Sequence, residues 1–145
     1  MDPPRGDGAA LCRRILAHPW FRMADTVMAY AAMAGEPDLD PVLEEILRQG
    51  KKLLLPRCDS KTEMSARIVT DLAALATGPF GIREPDGALP VADPASIALV
   101  LAPGMAFDAR GGRLGRGKGY YDRFLADYTG RIIGVCYAEG LLSEV

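Results

Sequence analysis

Arginine and lysine alternate with glycine between Arg113 and Asp122, in the run RLGRGKGYYD. Gly115, Gly117 and Gly119 flank Arg116 and Lys118. Glycines let a ligand come close to main-chain N–H groups and let the backbone turn through left-handed conformations. Arginine and lysine add full charge and donors that suit phosphate oxygens. The spacing of Tyr120, Tyr121, Phe124, Leu125 and Tyr128 predicts a helix starting near Gly119. Its positive end would face the glycines. The apolar run Ile97–Ala102 predicts a buried strand ahead of the loop. Strand, cationic loop and helix start together make a phosphate site.

Two common phosphate motifs are excluded. GRLGRGK matches the G-x-x-x-x-G-K of a P-loop, but Gly119 stands where Ser or Thr should hold magnesium. Pro103-Gly104 also ends the strand well ahead of the glycines. The glycines form G-x-G-x-G, not the dinucleotide pattern G-x-G-x-x-G. The plain alternative is a solvated basic loop. A Tyr-Tyr-Asp helix start immediately behind the glycines argues against it.

The elements that must position this loop alternate between helix and strand. Ala9–Ala17 carries Leu11, Ile15 and Leu16 on one face with Arg13 and Arg14 opposite, predicting a helix. Thr26–Ala31 reads as a strand. Asp40-Pro41 predicts an N-cap and first helical turn before Val42, Leu43, Ile46 and Leu47. Gly50 predicts its stop. Lys52–Leu55, closed by Pro56, predicts a strand buried on both faces, as in a parallel sheet. Met64–Val69 alternates like an edge strand. Asp71–Ala76 reads as a short helix or turn. GPFGIREP holds too much Gly and Pro for a regular element and reads as a loop presenting Phe80. Arg131–Tyr137 is the last expected strand. The order predicts a three-layer α/β/α, Rossmann-like fold: a mainly parallel sheet with helices on both faces. Ligands in such sheets bind outside the carboxyl ends of the strands.

Size and composition set limits. The chain has 145 residues, 49% hydrophobic and 25% charged, with a formal net charge of −2. That suits one soluble globular domain. The basic character is local, which excludes a polyanion partner such as nucleic acid and suits a small anionic ligand. No run approaches the length of a membrane span. Cys12, Cys58 and Cys136 lack metal spacing and fit reduced thiols in the cytoplasm. Cys136 reads as core, and His18 as structural. Residues 1–8 read as a disordered start and 9–145 as the single domain.

With these residues in view, PGMAFDARGGRLGRGKGYYDRFL resembles the signature of the 5-formyltetrahydrofolate cyclo-ligase family, also called 5,10-methenyltetrahydrofolate synthetase. The family pattern runs strand, Pro-Gly-x-x-Phe-Asp, a Gly turn, then Arg-Leu-Gly-x-Gly-x-Gly-Tyr-Tyr-Asp. Every fixed position is present, and the resemblance covers most of the chain. It implies ATP- and magnesium-dependent closure of 5-formyltetrahydrofolate to 5,10-methenyltetrahydrofolate, with release of ADP and phosphate. A monomer is expected, with ATP and the folate as its partners.

The resemblance also implies roles. Arg116 and Lys118 would act on the phosphates as catalytic residues. Arg113, Leu114, Gly115, Arg116, Gly117, Lys118, Gly119, Tyr120 and Tyr121 would bind ATP. Asp122 would hold Mg2+, a hard cation that favours a carboxylate beside phosphate oxygens. Glu36, Phe80, Arg116 and Tyr120 would contact the folate, and Arg57 would meet its glutamate tail. Plainer readings stand beside several of these. Arg113 would pair with Asp108, Asp122 would complement the helix dipole, and Tyr121 would be core. Glu36 would be a turn acid and Phe80 a loop anchor.

The family usually opens with a helix carrying Lys-x-x-Leu-Arg, whose Lys reaches the ATP phosphates. It usually closes with Pro-x-x-x-His-Asp and a final strand carrying a second magnesium-binding acid. Neither pattern is found in this sequence, so truncation at both ends is expected, with the C-terminal strand lacking. An alternative reading follows: a catalytically incomplete folate- or nucleotide-binding module. A third, a sugar-phosphate isomerase-like enzyme, would need Asp108 or Glu36 as its base. The FGIREP and RLGRGKGYYD blocks together disfavour it.

Overall fold

The computed structural model describes residues 7–31, 38–60, 62–77, 83–103, 123–135 and 142–144. Helices α1 (Asp7–Ala17) and α2 (Pro19–Met23) lead into strand β1 (Thr26–Met28). Helix α3 (Asp40–Arg48) then crosses to β2 (Lys52–Cys58), which turns back into β3 (Met64–Val69). A two-strand hairpin of β4 (Ala76–Thr77) and β5 (Arg83–Glu84) precedes β6 (Leu99–Pro103), β7 (Arg131–Val135) and β8 (Leu142–Glu144).

The six-stranded sheet has the order β3-β2-β1-β6-β7-β8. Its four central strands are parallel, with β3 and β8 antiparallel at the edges. Val27 aligns with Leu53 on one side and Leu99 on the other, and Leu99 aligns with Arg131. The sheet is the mainly parallel α/β sheet expected.

Alternation along the strands sorts the core into two layers. Val27, Leu53, Leu55, Leu99, Leu101, Ile133 and Val135 face one cluster, with Leu11 and Ile15 of α1, Phe21 of α2, and Val42, Leu43 and Ile46 of α3. Met28, Leu54, Val100, Ala102 and Ile132 face the other, with Ala92, Ile97 and Leu125. Leu53, Leu54 and Leu55 are each at most 1% exposed. The triple-leucine run is therefore buried on both faces, as its lack of polar alternation predicts. The helices described pack on the first face. The second is covered by the segment around the 3₁₀ turn Pro94–Ser96 and by residues 124–128.

Several local expectations are corrected. The N-cap of α3 is Leu39, not Asp40, which opens the helix itself. The Asp38 carboxylate, two residues back, accepts the Asp40 N–H at 2.9 Å. Strand β2 runs through Pro56 to Cys58. The Leu54 carbonyl accepts from Ala29 on the β1 side. Alternation turns the Pro56 nitrogen to that same side, past the last β1 pairing. Its missing N–H therefore costs no ladder bond. Strand β6 begins at Leu99, two residues later than the apolar run suggests, because Ile97 follows the 3₁₀ turn of Pro94–Ser96.

Gly50 stops α3 as expected, with φ +77°. Its N–H donates to Leu47 and that of Lys51 to Ile46, a Schellman close. His18 is the cap of α2: its Nδ1 accepts the Trp20 N–H at 3.0 Å.

Candidate functional site

Strand order decides where a site can lie. From β1 the chain moves outward to β2, and when it returns it enters β6 on the other side of β1. The order reverses between β1 and β6, and parallel sheets leave a crevice at such a point, beyond the strand carboxyl ends. Two segments depart there. Residues 32–37 follow β1, after buried Ala29, Tyr30 and Ala31. Residues 104–122 follow β6. These segments hold Glu36 and the whole run Arg113–Asp122. Glu36, Phe80, Asp108, Arg113–Asp122 and Cys136 themselves lie outside the described residues. What the structure shows is the frame from which they leave.

The frame is tied on the far side of the cationic run. The Arg123 Nε–H donates to the Thr62 carbonyl in the β2–β3 connection. Leu125 is buried in the second core layer. The Tyr128 hydroxyl donates to the Ile97 carbonyl at 2.9 Å, just ahead of β6. Burial pushes the Tyr128 pKa up and keeps the hydroxyl protonated as a donor. The chain is thus held by β6 up to Pro103 and by these contacts from Arg123 onward.

The segment 78–82, which carries Phe80, is bracketed by β4 and β5. Within the GPFGIREP block, read as a loop from sequence, Arg83–Glu84 is instead a strand paired with Ala76–Thr77 just ahead of it. Gly and Pro are confined to the connection and to the residue after β5. Arg83 pairs with Asp40 at the start of α3. Glu84 is 5% exposed, and its carboxylate accepts the Cys58 N–H at 3.2 Å. Arg57 donates to the Pro85 carbonyl at 2.9 Å, lies against Gly87 and pairs with Asp59 at 3.5 Å. Its guanidinium is engaged within the protein, which favours a structural task over meeting a ligand tail.

Sequence reasoning passed over Glu84. An acid beside Arg83 in a block otherwise made of Gly, Pro, Phe and Ile was the available signal, since a buried carboxylate needs donors. Among the described residues no three His, Cys, Asp or Glu side chains converge as a metal site. No helix among them is long and apolar enough to cross a membrane. Cys12 is buried, Cys58 is half-buried, and the two are not joined to each other. Burial, with the nearby Asp38 charge, raises the Cys12 pKa, and its Sγ–H reaches the Asp38 carbonyl at 3.3 Å.

Comparison with known proteins bears on this frame directly. The model of the 5-formyltetrahydrofolate cyclo-ligase family matches residues 3–145. The chain belongs to that family. A probable 5-formyltetrahydrofolate cyclo-ligase of Caenorhabditis elegans is 32% identical over 126 residues, covering 82% of this chain and 61% of that protein. The 5-formyltetrahydrofolate cyclo-ligase of Mycolicibacterium smegmatis is 35% identical over 130 residues, covering 83% of this chain and 66% of that protein. The chain thus spans a little under two thirds of the length of these curated relatives. Among solved structures, the 5,10-methenyltetrahydrofolate synthetase of Aquifex aeolicus superimposes with a TM-score of 0.76 at 37% identity, covering 90% of this chain and 66% of that one. The cyclo-ligase fold is therefore that of the sheet described above.

Proposed function

We propose that the chain closes 5-formyltetrahydrofolate to 5,10-methenyltetrahydrofolate at the expense of ATP, releasing ADP and phosphate. The observation that carries this reading is the origin of RLGRGKGYYD from β6 at the reversal of strand order, beside the segment that leaves β1. In a cyclo-ligase family member, that is where nucleotide and folate can meet.

The formyl oxygen attacks the γ-phosphorus of ATP, and ADP departs. N10 of the same folate then attacks the activated carbon, the ring closes and phosphate leaves. This chemistry needs positioning and charge neutralisation more than a protein nucleophile. Arg116, Lys118 and the N–H groups of Gly117 and Gly119 hold the phosphates, supported by Arg113, Leu114 and Gly115. Tyr120 and Tyr121 complete the nucleotide site. Glu36, Phe80, Arg116 and Tyr120 hold the folate. Asp122 is the proposed Mg2+ ligand, and magnesium supplies charge neutralisation at the phosphates. A cytoplasmic monomer is the proposed form, in keeping with cysteines whose spacing fits neither a metal site nor a disulfide framework.

The test is the ultraviolet absorbance of the methenyl product in a mixture of purified chain, 5-formyltetrahydrofolate and MgATP. ATP-dependent growth is expected. Heat stabilisation by either ligand without product would replace this reading with a binding module. Neither growth nor stabilisation would overturn both.

A further inference from the structure

Three consecutive residues each hold a different part of the frame. Arg83 pairs with Asp40 in the first turn of α3. Glu84 accepts the N–H of Cys58 at the carboxyl end of β2. The Pro85 carbonyl accepts from Arg57 of the same strand. Asp40 lies just beyond the segment 32–37, and Arg83 just beyond the segment 78–82. These ties therefore join the downstream ends of two segments that are far apart in sequence.

We propose that this clasp sets the affinity for the folate, with Arg83 and Glu84 acting as positioning residues. The inference rests on the function proposed above, in which Glu36 and Phe80 contact the folate. All three ties join β5 and the residue after it to α3 and β2. The run assigned to the nucleotide, whose Arg116 and Tyr120 also meet the folate in that reading, leaves from β6, to which none of the three ties connects. The clasp should therefore govern one ligand and not the other. The Glu84 carboxylate is the sole charged side chain buried among the described residues. Its cost is offset where it satisfies a main-chain N–H beyond the β1 pairing of β2. Arg83 adds a tie of a different kind, a partly exposed ion pair across 43 residues of sequence.

Dissociation constants for 5-formyltetrahydrofolate and for MgATP, measured by calorimetry, test this. Arg83→Ala should weaken the folate roughly two- to fivefold, the scale of a partly exposed ion pair. Arg83→Lys should restore most of that. Glu84→Ala should weaken it roughly tenfold, as loss of a buried charged acceptor predicts, with Glu84→Gln close to wild type. MgATP affinity should hold in every variant. Equal weakening of both ligands would reduce the clasp to general stability and overturn the proposal. So would an unchanged folate constant beside a wild type that binds normally. A wild type that binds no folate would overturn the proposed function, and the clasp with it. Should Glu84→Ala fail to fold, the Arg83 variants decide, since that side chain is 38% exposed.

Discussion

The hydroxyl of Tyr128 reaches the carbonyl of Ile97, closing the chain on itself across the cationic run. Gly130 makes this possible. A Cβ there would lie 2.2 Å from the Tyr128 hydroxyl and 2.4 Å from its ring carbon Cζ. The ring occupies the space that glycine leaves.

Tyr128→Phe should therefore lower stability by about 1 kcal/mol, the usual net value of one hydrogen bond. Gly130→Ala should cost more, about 1–3 kcal/mol, because the ring must leave its place. Urea unfolding of both variants measures this. Equal losses would show that the ring, and not its bond, is dispensable.

At the end of α3, Gly50→Ala places a side chain at φ +77°. The expected loss is about 1 kcal/mol, although nothing lies within 4 Å of the added carbon. The strain is in the backbone, so Gly50→Asn should lose less. Thermal melts of the two variants give the ranking.

Asp59 links the clasp to the β2–β3 hairpin. Partial burial pushes its carboxyl upward, but hydrogen bonds from Ser65 and Arg67 and the charges of Arg67 and Arg57 outweigh this and lower its pKa. A lowered carboxylate stabilises fully above its unfolded pKa and loses that contribution as pH falls through the folded value. Stability should thus decline in acid below about pH 4, and Asp59→Asn should flatten that decline. The gap between wild type and variant should be widest near neutrality. Urea midpoints across the acid range would show it, and parallel curves would exclude the assignment.

Lys118→Ala tests the proposed phosphate site. MgATP affinity should fall about tenfold or more, the worth of a charge-assisted bond, while the melting temperature of the free protein stays unchanged. Calorimetry and a melt separate the two effects.

The fold was legible where one side of an element faces the core and where the core takes both. Leu11 and Ile15 marked α1, and the three leucines of β2 marked a two-sided strand. Boundaries were less legible where tertiary pairing decided them. Pro56 stops a strand only if its nitrogen faces a partner, and nothing local says that β1 has already ended. The hairpin around 78–82 is two residues long on each side, too short for alternation to register. For the proposed site, the apolar run ahead of the glycines made legible only the strand, β6, from which its segment leaves. The ion pair of Arg83 with Asp40 could not be read, because a single charge gives no sign of a partner 43 residues away.

The pairing of β1 with β6 joins Val27 to Leu99, the longest sequence separation among the five pairings of the sheet. Loop-closure entropy grows with that separation, and non-local pairings of this kind slow folding. The crevice therefore exists only once the two halves of the chain have found each other, whereas α3, β2 and β3 form from neighbours. A ligand held between the segments leaving β1 and β6 binds a geometry that the unfolded chain cannot offer in part. Its binding energy would then be felt by the molecule as a whole, as a shift in global unfolding and not as the quieting of one flap.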